Sequence, residues 1–174
     1  MTEGNSAIYK LVLKREAIPC ELVEEAGMLR NSEAFAEFIR KLTKDEVQEV
    51  GFALYFMGPG KLIGYSEIAR GGMEWCTWDP KIMFATALLC GATSIVMAHN
   101  HPSGSARPSR ADVKSMKKVI PAGQLLGIRV LDHIVVSQEQ YVSMQDFGLL
   151  PPSGELEKEA EKEREKALDG REAS

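Results

Sequence analysis

The stretch 98-AHNHPSGSARPSRADV-113 decides the fold, because it contains a strand end, a loop and a helix start in succession. The short apolar run at 93–98 predicts a buried strand that ends where His99 begins. A loop rich in proline, serine and glycine follows, and Ser109 then opens a segment with helical periodicity. The stretch therefore predicts one strand–loop–helix step, and it holds two of the chain's three histidines.

The segments before this stretch predict a strand, a helix and a hairpin. Residues 8–14 alternate between apolar and polar side chains as a strand does, and Ser32 is placed to cap a helix over 33–42. Residues 52–57 and 62–69 predict two strands joined by the turn sequence GPGK.

The segments on either side of the histidines complete the predicted fold. Asp79 as N-cap and Pro80 at the first helical position open a helix that ends at Gly91, and residues 128–137 predict another strand. A hairpin followed by a strand–helix–strand order indicates an α/β fold, with a mixed, partly curled β-sheet flanked by helices.

Composition and charge narrow the class of protein. The chain has 174 residues, a hydrophobic fraction of 44% and a net charge of −4, values ordinary for a globular domain. The acidic balance gives no general reason to bind duplex DNA or an anionic membrane. The three cysteines lack C-x-x-C spacing, so we expect a reduced, cytoplasmic protein without a disulfide framework or an all-cysteine zinc site.

The chain divides into three parts by composition. The N-terminus has no pattern of a signal peptide, and the longest uncharged run, 82–98, is short for a membrane span. Residues 154–174 are rich in Glu and Lys and predict a disordered or fraying helical tail. We expect an N-terminal strand and helix extension over 1–50, packed on a domain over 51–153.

The two histidines are candidates for a metal site. Residues i and i+2 at a strand end point to the same side, so His99 and His101 can present two nitrogens to one ion while Asn100 points away. Asp112, in the first turn of the following helix, can return as a third ligand. A catalytic zinc site typically has three protein ligands and one open position, which this set would satisfy.

Each of these residues also has a purely structural interpretation. S-x-x-D before an apolar-periodic run is a variant of the capping box, so Ser109 and Asp112 could simply cap a helix. An isolated H-x-H is more often structural than metal-binding. The third histidine, His133, lies beside Asp132 in a strand, and either a structural role or support of a metal ligand fits it.

The combination of these residues resembles a known motif. His99, His101, Pro102, Ser109 and Asp112 match the H-x-H-P and S-x-x-D elements of the JAMM metalloprotease motif. With VLDHIVV and the YVSM and FGLL segments downstream, the chain resembles the RadC branch of that family over roughly residues 50 to 150. The resemblance implies a JAB/MPN fold, of cytidine-deaminase-like architecture, and one Zn²⁺ per chain held by His99, His101 and Asp112.

The resemblance also implies catalytic roles and a substrate class. Glu67, in SEIARGG, would be the general base that takes a proton from the attacking water, and the Ser109 hydroxyl would stabilise the oxyanion. The implied activity is hydrolysis of an amide bond in a protein or peptide. The first 50 residues do not show the helix-hairpin-helix segment frequent in RadC relatives, so duplex DNA is not the expected partner.

A cluster of basic residues keeps other functions open. Arg110, Lys114 and Lys117 fall on one predicted helical face after the motif, with Arg107 and Lys118 nearby. Such a face suits nucleic-acid phosphate, an acidic peptide terminus or solvent alone. The alternatives to a peptidase are therefore a DNA-repair or nucleic-acid-processing accessory protein and a non-catalytic scaffold, and the oligomeric state is undetermined.

Overall fold

The computed structural model describes Glu16, Leu29 and residues 31–58, 60–71 and 78–150. The strand predicted over 8–14 and the segment 154–174 lie outside the described residues. The elements, in chain order, are helix α1 (Ser32–Leu42), strands β1 (Val50–Met57) and β2 (Lys61–Arg70), helix α2 (Pro80–Cys90), strand β3 (Ser94–Asn100), helix α3 (Arg110–Leu126) and strands β4 (Arg129–Val136) and β5 (Tyr141–Ser143). No helix in these segments is both long and apolar enough to cross a membrane.

The five strands form one mixed sheet in the order β2-β1-β3-β4-β5. β1 is antiparallel to both β2 and β3, β3 is parallel to β4, and β4 is antiparallel to β5. The parallel pair is joined through α3, as a strand–helix–strand connection requires. The predicted α/β class, with a mixed sheet flanked by helices, is confirmed.

Strand alternation divides the interior into two apolar layers. On one face of the sheet, α1 packs through Phe38 and Ile39 against side chains that include Leu54 and Val96. On the other face, α2 and α3 pack against the alternate residues of the same strands, such as Tyr55 and Met97. All seven residues of β3 are buried because both faces of this central strand are covered.

The helix boundaries follow capping chemistry. Asp79 caps α2 by accepting from Lys81 N, Pro80 is the first helical residue, and Gly91 ends the helix with a left-handed φ of +74°, all as predicted. The prediction that Ser32 caps α1 is wrong by one residue. Asn31 is the cap, because its side-chain oxygen accepts from Ala34 N.

Two strands extend further than predicted, and both extensions shape the site. β3 does not end before His99 but continues through Asn100, since the ladder pairs His99 with Gly51 of β1 and Asn100 with Val136 of β4. β1 begins at Val50 rather than Phe52, so the start of β1 lies beside the end of β3. Side chains just before β1 are thereby brought to the histidines.

Candidate metal centre

The end of β3 presents two imidazoles to one point. The Nε2 atoms of His99 and His101 lie 3.0 Å apart. Asn100, between them, points the other way: its Oδ1 accepts from Val50 N at 2.7 Å and its Nδ2 donates to Gln48 O at 3.0 Å. Asn100 therefore ties β3 to the chain before β1 and leaves the opposite side to the two histidines.

The loop after β3 fixes the orientation of His101. Its backbone N–H donates to Val136 O at 2.7 Å, and its Nδ1 lies 2.7 Å from Ser105 O. The loop can turn back over the imidazole because Gly104 has a φ of +95°, which a side chain would disfavour. Since Ser105 O can only accept, the neutral form of His101 carries its proton on Nδ1 and leaves Nε2 free to bind a metal.

Asp112 has one oxygen for capping and one for the site. Ser109 and Asp112 form a complete capping box at the start of α3, in which Asp112 Oδ2 accepts from Ser109 N at 2.7 Å. The other oxygen, Oδ1, lies 3.6 Å from His99 Nε2. The capping and ligand interpretations of S-x-x-D are therefore compatible, because the carboxylate divides its two oxygens between them.

Ser109 keeps a donor available after capping. Its Oγ accepts from Asp112 N at 3.1 Å, and in the part of the chain that the structure describes its hydroxyl hydrogen has no acceptor. The residue is exposed at the start of α3. Ser109 can therefore donate to a group that enters the site without giving up its role as N-cap.

His133 lies directly behind His99 on the neighbouring strand. Its side chain is fully buried, and its Nε2 lies 2.9 Å from His99 Nδ1. His99, Asp112 and His133 can each offer one ligand atom within 4.8 Å of one another. The sequence placed His133 outside the ligand set, whereas the structure brings it into contact with a predicted ligand.

Trp78 and Asp132 hold the histidines in place. The Trp78 ring packs edge-on against His133 and His99, with ring centroids 4.9 Å and 5.7 Å away. Asp132 Oδ1 accepts from the backbone N of His133 and of Gln145, while its Oδ2 accepts from Ser143 Oγ at 2.6 Å. Asp132 therefore anchors β4 at the residue that carries the rear imidazole.

The structure does not bring Glu67 to the histidines. Glu67 pairs with Phe52 and Phe52 pairs with Ala98, so the Glu67 side chain shares the α1 face of the sheet, opposite to His99. Its carboxylate accepts two hydrogen bonds from Arg70, both 2.8 Å long, and is 41% exposed. Arg70 is also paired with Glu46, so Glu67 belongs to a surface ion-pair network.

Glu49 is a carboxylate at the histidines that no sequence pattern indicated. It precedes β1 on the strand side that carries Gly51, the ladder partner of His99. Its Oε1 lies 3.7 Å from His101 Nε2, and both side chains are 11% exposed. Burial raises the pKa of Glu49, the nearby His101 opposes that rise, and Asp112 reinforces it. A carboxyl with a raised pKa is suited to accepting and returning a proton near neutral pH.

The donor set fits a zinc ion. Burial lowers the pKa of His99 well below its ordinary value, which favours the neutral imidazole that a metal ligand must be. Burial also lowers the pKa of His133, to about 4. Ligand atoms on tetrahedral zinc lie about 3.3 Å apart when the bonds are about 2.0–2.1 Å. The 3.0 Å from His99 Nε2 to His101 Nε2 and the 3.6 Å from His99 Nε2 to Asp112 Oδ1 lie on either side of that separation. Among the described residues, however, the three whose ligand atoms all lie within 4.8 Å of one another are His99, Asp112 and His133, and His101 contacts this group through His99.

Comparison with known proteins places the chain in a family. A profile of the RadC-like JAB domain matches residues 29–149. A UPF0758 protein of Polaromonas sp. (strain JS666 / ATCC BAA-500) is 36% identical over 140 residues, which are 80% of this chain and 62% of the relative. A UPF0758 protein of Flavobacterium johnsoniae is 34% identical over 144 residues, 83% of this chain and 62% of the relative. The chain thus spans about three fifths of the length of these relatives, and it belongs to the RadC-like JAB domain family.

Proposed function

We propose that the protein is a zinc-dependent hydrolase that cleaves an amide bond in a protein or peptide. The observation that carries the proposal is the position of Glu49, whose carboxylate lies 3.7 Å from His101 Nε2 and is nearly enclosed. A base next to two paired imidazoles and a carboxylate has no evident structural purpose, because His101 and Asp112 are already positioned by Ser105 O and Ser109 N.

His99, His101 and Asp112 would hold the metal. Bound there, Zn²⁺ supplies Lewis-acid polarisation of the scissile carbonyl and lowers the pKa of the attacking water. Glu49, beside His101, would take a proton from an attacking water and return it to the departing amine, so a single carboxyl would act first as base and then as acid.

Ser109 is suited to stabilising the developing oxyanion. Its hydroxyl can donate while its oxygen still accepts from Asp112 N, so catalysis and helix capping do not compete. One such donor typically accounts for a factor of roughly 10²–10³ in turnover. The structure supports this role by leaving the hydroxyl exposed at the site.

The test compares Glu49→Gln with Glu67→Gln. Both variants exchange a carboxylate for an amide of the same shape, but only Glu49 lies at the histidines. Zinc-loaded wild type would be screened against fluorogenic peptides and lysine-ε-linked isopeptides, and zinc content would be measured for each variant. We expect Glu49→Gln to keep its zinc and to lose roughly 10²–10⁴ in kcat. Glu67→Gln serves as the matched control and should stay within about twofold of wild type.

Two outcomes would refute the proposal. If zinc-loaded wild type hydrolyses neither the peptides nor the isopeptides, the proposed amide hydrolysis is refuted. If Glu49→Gln keeps the wild-type kcat while Glu67→Gln loses it, Glu67 is the general base and the argument from the position of Glu49 is wrong.

The exposed basic face of α3 favours a second candidate, a nucleic-acid-processing accessory protein. We define this face by the exposed cations of α3 and of the loop just before it, none of which forms an ion pair within the described segments: Arg107 in the loop and Arg110, Lys114, Lys117 and Lys118 in the helix. Phosphate would suit such a face, but an acidic segment of a protein substrate would suit it equally. The net charge of −4 favours the protein substrate, and salt dependence of binding distinguishes the two.

A further inference from the structure

The three histidines form one continuous chain of hydrogen bonds with a fixed direction. The first contact joins Ser105 O to His101 Nδ1 at 2.7 Å. The second joins His101 Nε2 to His99 Nε2 at 3.0 Å, and the third joins His99 Nδ1 to His133 Nε2 at 2.9 Å. A carbonyl oxygen only accepts, and a neutral imidazole has one donor and one acceptor.

The direction of the chain determines every tautomer when the rings are neutral and no metal is bound. His101 donates to Ser105 O from Nδ1, so His101 Nε2 is bare and must accept from His99 Nε2–H. His99 Nδ1 is then bare and must accept from His133 Nε2–H. Without metal, the nitrogen of His99 that faces His101 therefore carries a proton.

Metal binding demands the opposite tautomer of His99. A ligand nitrogen must be unprotonated, so His99 has to release Nε2 and carry its proton on Nδ1. The Nδ1–H can be retained only if His133 Nε2 becomes an acceptor, which moves the His133 proton to Nδ1. The number of protons on the three rings is three before and after, so the exchange balances without uptake or release.

We propose that His133 is a positioning residue that changes tautomer together with His99 and thereby makes His99 Nε2 available to the metal. This inference rests on the proposed metal centre, and it assigns the rear histidine a role that a structural imidazole would not have. His133 acts through His99 and does not touch substrate.

The surroundings of His133 allow the change. Its Nδ1 is buried and has no hydrogen-bond partner within the described segments. A permanent acceptor at Nδ1 would lock His133 with the proton there, and a permanent donor would lock it with the proton on Nε2. The absence of either permits both tautomers, while Asp132 on the backbone and Trp78 on the ring keep Nε2 aimed at His99.

His133 is better placed as a support than as a ligand. Its side chain is fully buried behind His99, whereas His101 and Glu49 on the other side of His99 are each 11% exposed. A hydrolytic metal needs an open position for water and substrate. An ion on the side of His99 Nε2 has that access, and an ion between His99 Nδ1 and His133 would not.

The experiment compares His133→Gln with His133→Leu. The side-chain amide of Gln can donate or accept near the position of Nε2, so it serves both states of His99, whereas Leu fills the space but offers no hydrogen bond. Zn²⁺ affinity would be measured by chelator competition, and urea unfolding of the metal-free proteins would report fold stability. Long-range ¹H–¹⁵N spectra would identify the His99 tautomer with and without Zn²⁺.

We expect the His99 proton to move from Nε2 to Nδ1 when Zn²⁺ is added to wild type or to His133→Gln. His133→Leu should bind Zn²⁺ roughly 10–100-fold more weakly, as for other losses of a ligand-supporting hydrogen bond, and His133→Gln should recover most of that loss. If His133→Leu does not fold, the tautomer change in wild type and in His133→Gln still tests the proposal.

Three results would overturn the inference: an unchanged His99 tautomer on metal binding, wild-type affinity in His133→Leu, or equal loss of affinity in both variants. These readouts do not use activity. A protein that binds Zn²⁺ with the tautomer change but hydrolyses nothing would refute the proposed function alone, and an active enzyme with an unchanged tautomer would refute this inference alone.

Discussion

Substitutions of Asp112 separate its capping role from the metal-binding role that we propose for it. Asp112→Asn keeps an acceptor for Ser109 N and removes the ligand charge, whereas Asp112→Ala removes both. The hydrogen bond lost in Asp112→Ala is the 2.7 Å contact from Ser109 N to Oδ2. Loss of such a cap costs about 1 kcal/mol. For a domain of this size we expect the melting temperature of metal-free Asp112→Ala to lie roughly 3–4 °C below that of Asp112→Asn.

The zinc affinity of the two variants should behave differently from their stability. Both lose the Oδ1 carboxylate oxygen that lies 3.6 Å from His99 Nε2, so both should bind Zn²⁺ at least about 100-fold more weakly than wild type. Stability would be measured by thermal and urea unfolding in the presence of a chelator, and affinity by chelator competition. Wild-type affinity in Asp112→Asn would refute the ligand role, and equal stability of the two variants would refute the division of oxygens.

The remaining predictions concern pH, packing and salt. In metal-free protein His133 has a folded pKa of about 4 against about 6.5 unfolded, so below pH 6.5 the unfolded chain binds more protons and stability falls. Between pH 7 and 5, wild type should therefore lose more of its free energy of unfolding than His133→Gln, by on the order of 1–2 kcal/mol in urea unfolding. Parallel pH profiles of the two proteins would contradict this. Gly123→Ala should lower the free energy of unfolding by about 1–3 kcal/mol, because the added Cβ would collide with the Ile128 carbonyl oxygen, although alanine has the better helix propensity. An unchanged free energy of unfolding in urea would contradict this packing. Wild type should show no detectable duplex DNA binding at physiological salt, and charge reversal of the basic face of α3 should not change that result. A wild-type dissociation constant below about 1 μM, with a steep salt dependence, would favour the nucleic-acid candidate instead.

Local chemistry made much of the geometry of the candidate site predictable from sequence. His99, His101, Ser109 and Asp112 lie within one short strand–loop–helix step, where alternation and capping rules determine which way side chains point. The helix caps at Asp79 and Gly91 were predictable for the same reason, since the residues that make them are adjacent to the helix.

Contacts between distant segments were not predictable in this way. Glu49 reaches His101 because β1 runs antiparallel to β3 from Val50, and a start predicted at Phe52 hid the residue that precedes the strand. His133 meets His99 only through the parallel register of β3 and β4. Once the β1–β3 pairing is known, a glutamate just before β1 becomes a candidate, whereas Glu67 falls on the opposite face of the sheet.

The central claim is that one zinc ion binds at the solvent side of His99, through His99, His101 and Asp112. Zinc content per chain, measured by mass spectrometry after dialysis against a weak chelator, tests it most directly in wild type, His101→Ala and His133→Gln. We predict about one zinc per chain in wild type and in His133→Gln, and less than about a tenth of that in His101→Ala. Retention of zinc by His101→Ala with loss from His133→Gln would instead place the ion with His99, Asp112 and His133 and contradict the account.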